Sequence, residues 1–371
     1  MKAVILVGGE GTRLRPLTCN TTKAMVPILN IPFLEYVLRY LRGHGIKNVI
    51  LAMSYLPDRI QNHLGDGSEL GVRLSYAVEK EPLGTGGAIQ NARAHLTEPF
   101  FVLNGDVLTG IDLANMMKLH RKVKPKVSIA LTPVDNPTMY GVVETDHEDM
   151  VENFVEKPGL DEVTTNMINA GIYILDPEVL EYIPPATPSM VERHLFPLLL
   201  EKGEPILGYP SDSYWIDIGT PEKYLKAHHD LLSGEAPALA AYWNNLDQQT
   251  RREGEHQIHQ SASIEGPVLI GEGCRVDKWA VLKGPAVLGP HCQIAEGACV
   301  EGAVLWQGVK LGKKALLRNC IVASNCQIGE ESQVMDNCVL GDNVVVGKNN
   351  KLAPEVKIWP DKRITSGTMS F

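Results

Sequence analysis

Ile270-Gly271-Glu272-Gly273-Cys274-Arg275-Val276-Asp277-Lys278-Trp279-Ala280-Val281-Leu282-Lys283-Gly284-Pro285-Ala286-Val287-Leu288-Gly289-Pro290-His291-Cys292-Gln293-Ile294 carries an aliphatic residue at every sixth position. These are Ile270, Val276, Leu282, Leu288 and Ile294, and the spacing extends in both directions. Upstream it takes in Ile264 and Ile258. Downstream it includes Val300, drops by one residue to run through Leu305, Leu311 and Leu317, then drops by one again. It resumes as Val322, Ile328, Val334, Leu340, Val346, Leu352 and Ile358. Chance does not sustain this spacing for about a hundred residues, and no helical period gives six. A parallel β-helix does, because each repeat supplies one flat face and one inward aliphatic residue. Stacked coils are therefore expected over 258–371.

The same register explains the cysteines. Two residues before each aliphatic the pattern wants a small side chain, and Cys274, Cys292, Cys320, Cys326 and Cys338 share that slot with alanines such as Ala280, Ala286 and Ala298. Five of the seven cysteines thus stand in for alanine, as small hydrophobes in a tight corner. With no Cys-x-x-Cys pair, neither a zinc site nor a disulfide is expected.

Working back from the repeats, residues 233–257 contain Gly234-Glu235-Ala236-Pro237 and a polar run, and read as a linker. Residues 1–232 have a different character. Strands are expected at 3–7, 48–53, 73–78, 100–104, 127–132 and 168–175. Helices are expected near 33–42, 84–95, 112–121, 190–200 and 221–232. Alternating strands and helices predict an α/β domain with a mostly parallel, Rossmann-like sheet. The chain of 371 residues is thus read as an α/β domain over 1–232, a linker over 233–257 and a repeat domain over 258–371.

The net charge of −9 argues against nucleic acid as a partner. No segment is long and apolar enough to span a membrane, and the short run Ala3–Val7 reads as a buried strand rather than a signal peptide. A cytoplasmic protein is expected. An anionic substrate must then be met by local cations or metal.

Such cations follow the first strand, in Gly8-Gly9-Glu10-Gly11-Thr12-Arg13-Leu14-Arg15 and Lys23. The loop is not a Walker motif, because no Lys-Ser/Thr closes it, and Leu14 stands where a dinucleotide fingerprint needs its third glycine. Its glycines still allow backbone N–H groups to approach phosphate oxygens. So many cations suit a triphosphate. Asp106 falls at the end of the strand 100–104, and Asp217 lies in Trp215-Ile216-Asp217-Ile218-Gly219. Read alone, either aspartate is better explained as a turn or helix-cap residue. Beside a triphosphate loop they read as carboxylate ligands of Mg²⁺.

These motifs, in this order, resemble those of the sugar-nucleotide pyrophosphorylases, which transfer a nucleoside monophosphate from an NTP to a sugar 1-phosphate. Leu6–Leu14 resembles the signature loop, Phe154-Val155-Glu156-Lys157-Pro158 the sugar-phosphate motif and Asn169-Ala170-Gly171 the sugar-binding strand. Trp215–Thr220 resembles the second metal motif, and the likeness continues through the repeats, whose known examples are left-handed. The resemblance implies that Leu6, Gly8, Gly9, Gly11, Thr12 and Arg13 hold the nucleotide, with Arg13 and Lys23 stabilising charge at the reacting phosphates. It implies Asp106 and Asp217 for Mg²⁺. Lys157 would meet the sugar phosphate, and Glu156, Asn169 and the backbone of Gly141 the sugar hydroxyls. The family usually has Lys-Pro after the loop; here Ala24 follows Lys23.

In that family the segment Glu79-Lys80-Glu81-Pro82-Leu83-Gly84-Thr85 reads the base. Guanine offers adjacent N1–H and N2–H donors, which suit an ionised carboxylate, so Glu79 and Glu81 favour GTP. The alternative makes both glutamates solvated strand-end charges. The likeness is greatest to mannose-1-phosphate guanylyltransferases with a hexapeptide tail, which implies GDP-mannose as product. Glucose-1-phosphate thymidylyl- or uridylyltransferase is the second reading, and a catalytically silent regulatory homologue is opposed by intact Arg13, Lys23, Asp106 and Asp217. Hexapeptide acyltransferases use a catalytic histidine and a protruding loop. Here the hexad never breaks by more than one residue, and the array holds only His259 and His291. A scaffold role for the repeats, through contacts in a homo-oligomer or by capping the catalytic domain, is the expectation instead.

Overall fold

The computed structural model describes residues 1–240 and 250–367. The expected linker lies in part outside the described residues, at 241–249. By its contacts the chain divides into two compact units. Met1–Gly9 with Val37–Trp215 forms one; Glu10–Tyr36 with the described residues of Ile216–Phe371 forms the other.

The first unit is built on a nine-stranded sheet. Its strands are β1 (Lys2–Leu6), β2 (Asn48–Met53), β3 (Arg73–Val78), β4 (Phe100–Asn104), β5 (Val127–Pro133), β6 (Gly141–Thr145), β7 (Val151–Glu156), β8 (Met167–Leu175) and β9 (Ile206–Pro210). Their order is β7-β6-β8-β4-β1-β2-β3, with β5 pairing β8 and β9 pairing β5. The expected parallel strands are present: β1 runs parallel to β2 and β4, and β2 to β3. The sheet is mixed because β8 runs antiparallel to β4, β5 and β6. Val4, Ile50, Val102, Ile129 and Tyr173 are buried in its core with Phe196. The apolar runs of β1 and β4 are continuous because strands buried on both faces have no solvent side to alternate toward.

Helices Phe33–Gly43, Gly84–Asn91 and Leu113–Val123 fall near their expected places. The helix expected over 190–200 begins instead as a π-turn, Val191–Leu195, and becomes α-helical at Phe196–Glu201. A helix at Pro57–Leu64 has no counterpart in the sequence reading.

In the second unit the described strands from Thr250–Arg252 to Arg363–Ile364 stack into three parallel sheets, of seven, seven and six strands. Each coil advances 18 residues, as in Ile270↔Leu288, except where Leu288↔Leu305 and Leu305↔Val322 span 17. Those are the two single-residue drops in the hexad. The inward aliphatics and the small-slot cysteines form one continuous core. Asn319, Asn325, Asn337, Asn343 and Asn349 occupy left-handed conformations, which asparagine tolerates better than branched residues do.

The three faces differ. On one, the outward positions Arg275, Gln293, Lys310 and Gln327 stack in register. On another the outward positions are Leu269, Val287, Val304, Ile321 and Val339, each no more than 2% exposed. The helix Pro221–Ser233 lies against this apolar face, with Pro221 and Leu225 beside Ile321 and Val339. Thr220 caps that helix and Pro221 opens it.

Candidate active site

In the first unit the candidate residues gather where the parallel strands end, the usual ligand side of an open α/β sheet. The β1 end continues into Gly8, whose carbonyl accepts from Ser54 Oγ at 2.8 Å. Leu6 O accepts from Gly105 N at 3.0 Å, so the turn after β4 that leads to Asp106 is laid directly against β1. A Cβ on Gly105 would come within 2.6 Å of Leu6 O; only glycine permits this approach. Asp106 is half-buried.

The sugar motifs meet on the antiparallel side. Register places Glu156 opposite Gly141, and the Glu156 carboxylate lies over the Gly141 backbone, where an added Cβ would be 2.9 Å from Oε2. Lys157 is exposed, with a left-handed backbone (φ 54°), and its N–H donates to Tyr140 O at 2.9 Å. The ladder of β8 is interrupted between Asn169 and Tyr173, and Gly171 takes φ 72° there with its backbone against the Asn104 amide. Asn169 Oδ1 accepts from Gly171 N at 2.9 Å, and Asn169 Nδ2 donates to Tyr173 Oη at 2.8 Å.

Glu192 completes this network and was not foreseen from the sequence. Its Oε1 accepts from Tyr173 Oη at 3.3 Å, and its Oε2 from Thr85 Oγ1 at 2.8 Å. Thr85 Oγ1 in turn accepts from Val191 N at 2.9 Å. One buried carboxylate therefore joins the expected base-reading segment to the expected sugar strand. Its only local signal is the π-turn that carries it, a form frequent at functional sites but invisible in composition. Burial and the neighbouring Glu192 charge raise the pKa of Glu156 above the usual carboxylate range, against the pull of Lys157 and Arg193.

Glu79 and Glu81 part company. Glu81 is exposed, whereas Glu79 is 8% exposed and so is not a solvated charge. Glu79 Oε2 accepts from Leu83 N at 3.1 Å, and its Oε1 is buried with no hydrogen-bond partner among the described residues. Burial raises its pKa, partly offset by the Leu83 N–H. Gly84 (φ 71°) packs on the Ser189 carbonyl, which also accepts from Gly86 N at 2.9 Å.

The second unit holds the remaining candidates. Thr12 and Arg13 are exposed in a 3₁₀ turn that follows Gly11. Gly11 (φ 64°) lies against the stem of Lys23, where an added Cβ would be 3.0 Å from its Cβ, and Gly11 O accepts from Thr18 Oγ1 at 2.7 Å. Arg15 is paired with Glu10 at 3.0 Å. The Arg13 guanidinium lies beside Gly219, and Asp217 Oδ1 accepts from Gly219 N at 3.1 Å. Asp217 is 7% exposed and its Oδ2 is ion-paired with Lys223, a cation the sequence reading passed over.

Gly9 faces open space; among the described residues no heavy atom beyond its chain neighbours lies within 4 Å of an added Cβ. Among the described residues no group of three or more His, Cys, Asp or Glu side chains could hold a metal on its own. Asp106 in the first unit and Asp217 in the second are each a carboxylate of the kind Mg²⁺ takes in phosphoryl transfer, where one or two carboxylates suffice beside substrate oxygens and water.

Comparison with known proteins identifies the family and the fold. Residues 2–234 match the nucleotidyl transferase family, and residues 248–352 match the EIF2B subunit epsilon LbH domain. A mannose-1-phosphate guanylyltransferase of Mycobacterium tuberculosis is 39% identical, over 83% of this chain and 80% of its own. A UTP–glucose-1-phosphate uridylyltransferase of Synechocystis is 34% identical, over 76% of this chain and 81% of its own. The crystal structure of HddC from Yersinia pseudotuberculosis complexed with GMP-PN matches with a TM-score of 0.53 and 33% identity, covering 61% of this chain and 97% of that one. The sheet with its strand-end loops, followed by stacked coils in three parallel sheets, is the architecture these matches share out between them, and the chain belongs to the nucleotidyltransferase family, as an enzyme that carries a C-terminal left-handed β-helix.

Proposed function

We propose that this enzyme transfers GMP from GTP to mannose 1-phosphate, releasing pyrophosphate and forming GDP-mannose. The observation that carries the choice of base is Glu79, a buried carboxylate with an acceptor oxygen to spare. Guanine N1–H and N2–H would satisfy it, whereas uracil and thymine would set a carbonyl oxygen against it. The guanylyltransferase from Mycobacterium tuberculosis supports the same choice.

The reaction needs no general base. A phosphate oxygen of the sugar 1-phosphate is already ionised at neutral pH and attacks the α-phosphorus as the bond to pyrophosphate breaks. The work left to the chain is positioning and charge. Gly8, Gly9, Gly11 and Thr12 offer backbone donors to the triphosphate, and Arg13 and Lys23 meet the charge that builds on it. Lys157 meets the phosphate of the acceptor. Glu156, Asn169 and the Gly141 backbone orient the sugar. Asp106 and Asp217 would hold Mg²⁺, which would supply neutralisation of phosphate charge.

The test is a matrix of NTPs against sugar 1-phosphates, read by pyrophosphate release with Mg²⁺ present. GTP with mannose 1-phosphate is expected to lead. A preference for UTP or dTTP with glucose 1-phosphate would overturn the substrate assignment, and silence with every pair would overturn the reaction.

A further inference from the structure

The segment that carries Arg13 and Lys23 belongs, by its contacts, to the same compact unit as the β-helix. The attachments flank Lys23 on both sides. Before it, Asn20 Nδ2 donates to Asp342 Oδ2 at 3.0 Å, and Asp342 is fixed by Ser324 N, which donates to its Oδ1 at 3.1 Å. After it, the hairpin Pro27–Ile28/Ile31–Pro32 presents Asn30, whose Nδ2 donates to Glu253 Oε2 at 3.1 Å and Leu288 O at 3.2 Å.

The innermost attachment is a buried chain of hydrogen bonds. Trp306, on the β-helix, donates from Nε1 to Tyr224 Oη at 3.0 Å, and Tyr224 Oη donates to Pro27 O. Indole is a donor only, so it takes the acceptor side of the tyrosine hydroxyl and leaves the O–H for Pro27. Tyr224 is fully buried and stacks edge-on against His228, with ring centroids 4.7 Å apart. Burial pushes the pKa of His228 down to about 3, so its ring is neutral and Nδ1 accepts from Leu29 N at 3.4 Å. Tyr224 also directly follows Lys223, the ion-pair partner of Asp217.

We propose that Trp306 and Tyr224 are positioning residues, through which the β-helix sets the placement of the segment bearing Lys23 and of the turn bearing Asp217. This rests on the reaction proposed above, in which both residues act on the triphosphate and its metal. The β-helix is then part of the catalytic apparatus rather than an appended scaffold.

The test uses the full chain with Trp306→Phe, Tyr224→Phe and the double variant, and two readouts. Trp306→Phe, which removes one buried hydrogen bond, should lower kcat about fivefold to tenfold, and Tyr224→Phe, which removes two, at least as much, each with KM for mannose 1-phosphate changed less than about twofold. The double variant should be no slower than Tyr224→Phe, because Trp306 acts through that hydroxyl. Amide hydrogen exchange over residues 16–32 should speed up in every variant, while that over 100–104 stays as it was. Losses of kcat that multiply in the double variant, or exchange over 16–32 that does not change, would overturn the proposal. Should Trp306→Phe fold poorly, Asn30→Ala, at the other attachment, must raise the same exchange signal. If the unaltered enzyme turns over no substrate pair, the reaction reading falls alone, and exchange still decides whether the β-helix positions this segment.

Discussion

The β-helix and the sheet of the first unit use opposite means. In the β-helix every coil repeats the last: inward aliphatics such as Leu282, Val300 and Leu317 align in register, and the chemistry hardly varies along the axis. In the sheet the candidate residues sit where regularity fails. Asn169 precedes the interruption in β8, Asp106 follows a turn that only Gly105 permits, and Glu192 rides a π-turn. A repeating element can satisfy every backbone group with itself and so makes a good frame. Chemistry needs polar groups that the frame does not consume, and those appear at its breaks.

This contrast can be broken by substitutions in either region, and the largest effect belongs to a break in the sheet. Asp106→Asn should lower turnover by about a hundredfold to a thousandfold, the scale of losing a directed electrostatic contact to the transition state. Its urea unfolding midpoint should stay near that of the parent enzyme, since Asp106 lies outside the apolar core. Full activity in this variant would refute the metal assignment. Glu79→Gln comes next. The amide can still accept from Leu83 N, but it sets an N–H group where guanine also donates. The kcat/KM for GTP should fall about tenfold to a hundredfold relative to UTP. An unchanged GTP preference would move base recognition elsewhere.

Glu156 sharpens the contrast through pH. Its pKa is raised by burial and by Glu192, so as pH falls from neutral it protonates before an ordinary glutamate would. A protonated carboxyl loses acceptor capacity for sugar hydroxyls, and KM for mannose 1-phosphate should rise through that window. Glu156→Gln should raise KM about tenfold and flatten this dependence. Stability runs the other way. Between the ordinary glutamate pKa of about 4.3 and the raised one, the folded state binds more protons than the unfolded state, so the parent enzyme loses stability as pH rises through the window. Glu156→Gln should lack that loss. A midpoint with the same pH slope in both proteins would contradict it.

The same contrast governs what could be read from the sequence. The hexad gave the coils from Ile258 onward and both 17-residue turns of the β-helix, because its period is enforced by one side chain in six, but not the opening strand Thr250–Arg252, where Arg252 stands in register with Ile270 and the sequence reads as linker. It also held an unused signal: Val268-Leu269-Ile270, Ala286-Val287-Leu288 and Ile321-Val322 are apolar on both sides, which marks a covered face. The strands β6, β7 and β9 carry weaker signals, β6 and β7 being interrupted by Glu144, Glu152 and Asn153 and β9 by Gly208 and Pro210. At the candidate site, the motifs single out Gly8, Asp106, Glu156 and Asn169. They could not reveal that Glu192 ties Thr85 to Tyr173, since residues separated by 107 and 19 positions meet only after the chain has folded. Nor could they show which of Glu79 and Glu81 is buried, because the two differ in burial and not in kind.

The smallest effect tests the frame itself. Burial pushes the Cys326 thiol up to about 12, so it stays protonated and its Sγ donates to Gly341 O at 3.0 Å. Ser332 fills the equivalent slot and donates to Gly347 O at 2.7 Å, again 15 residues along. If the slot needs only smallness, Cys326→Ala should be neutral. If it also needs a donor to the next coil, Cys326→Ala should cost about 0.5–1 kcal/mol, and Cys326→Ser should recover part of it. Leu305→Ala, which empties an inward position, should cost about 2–5 kcal/mol by comparison. Urea midpoints on the three variants separate these outcomes. A neutral Cys326→Ala beside a costly Leu305→Ala would mean that the stack is held by its aliphatic column alone, with the thiols as bystanders. A measurable cost would mean that even the most repetitive part of the molecule uses polar bonds to hold one coil on the next.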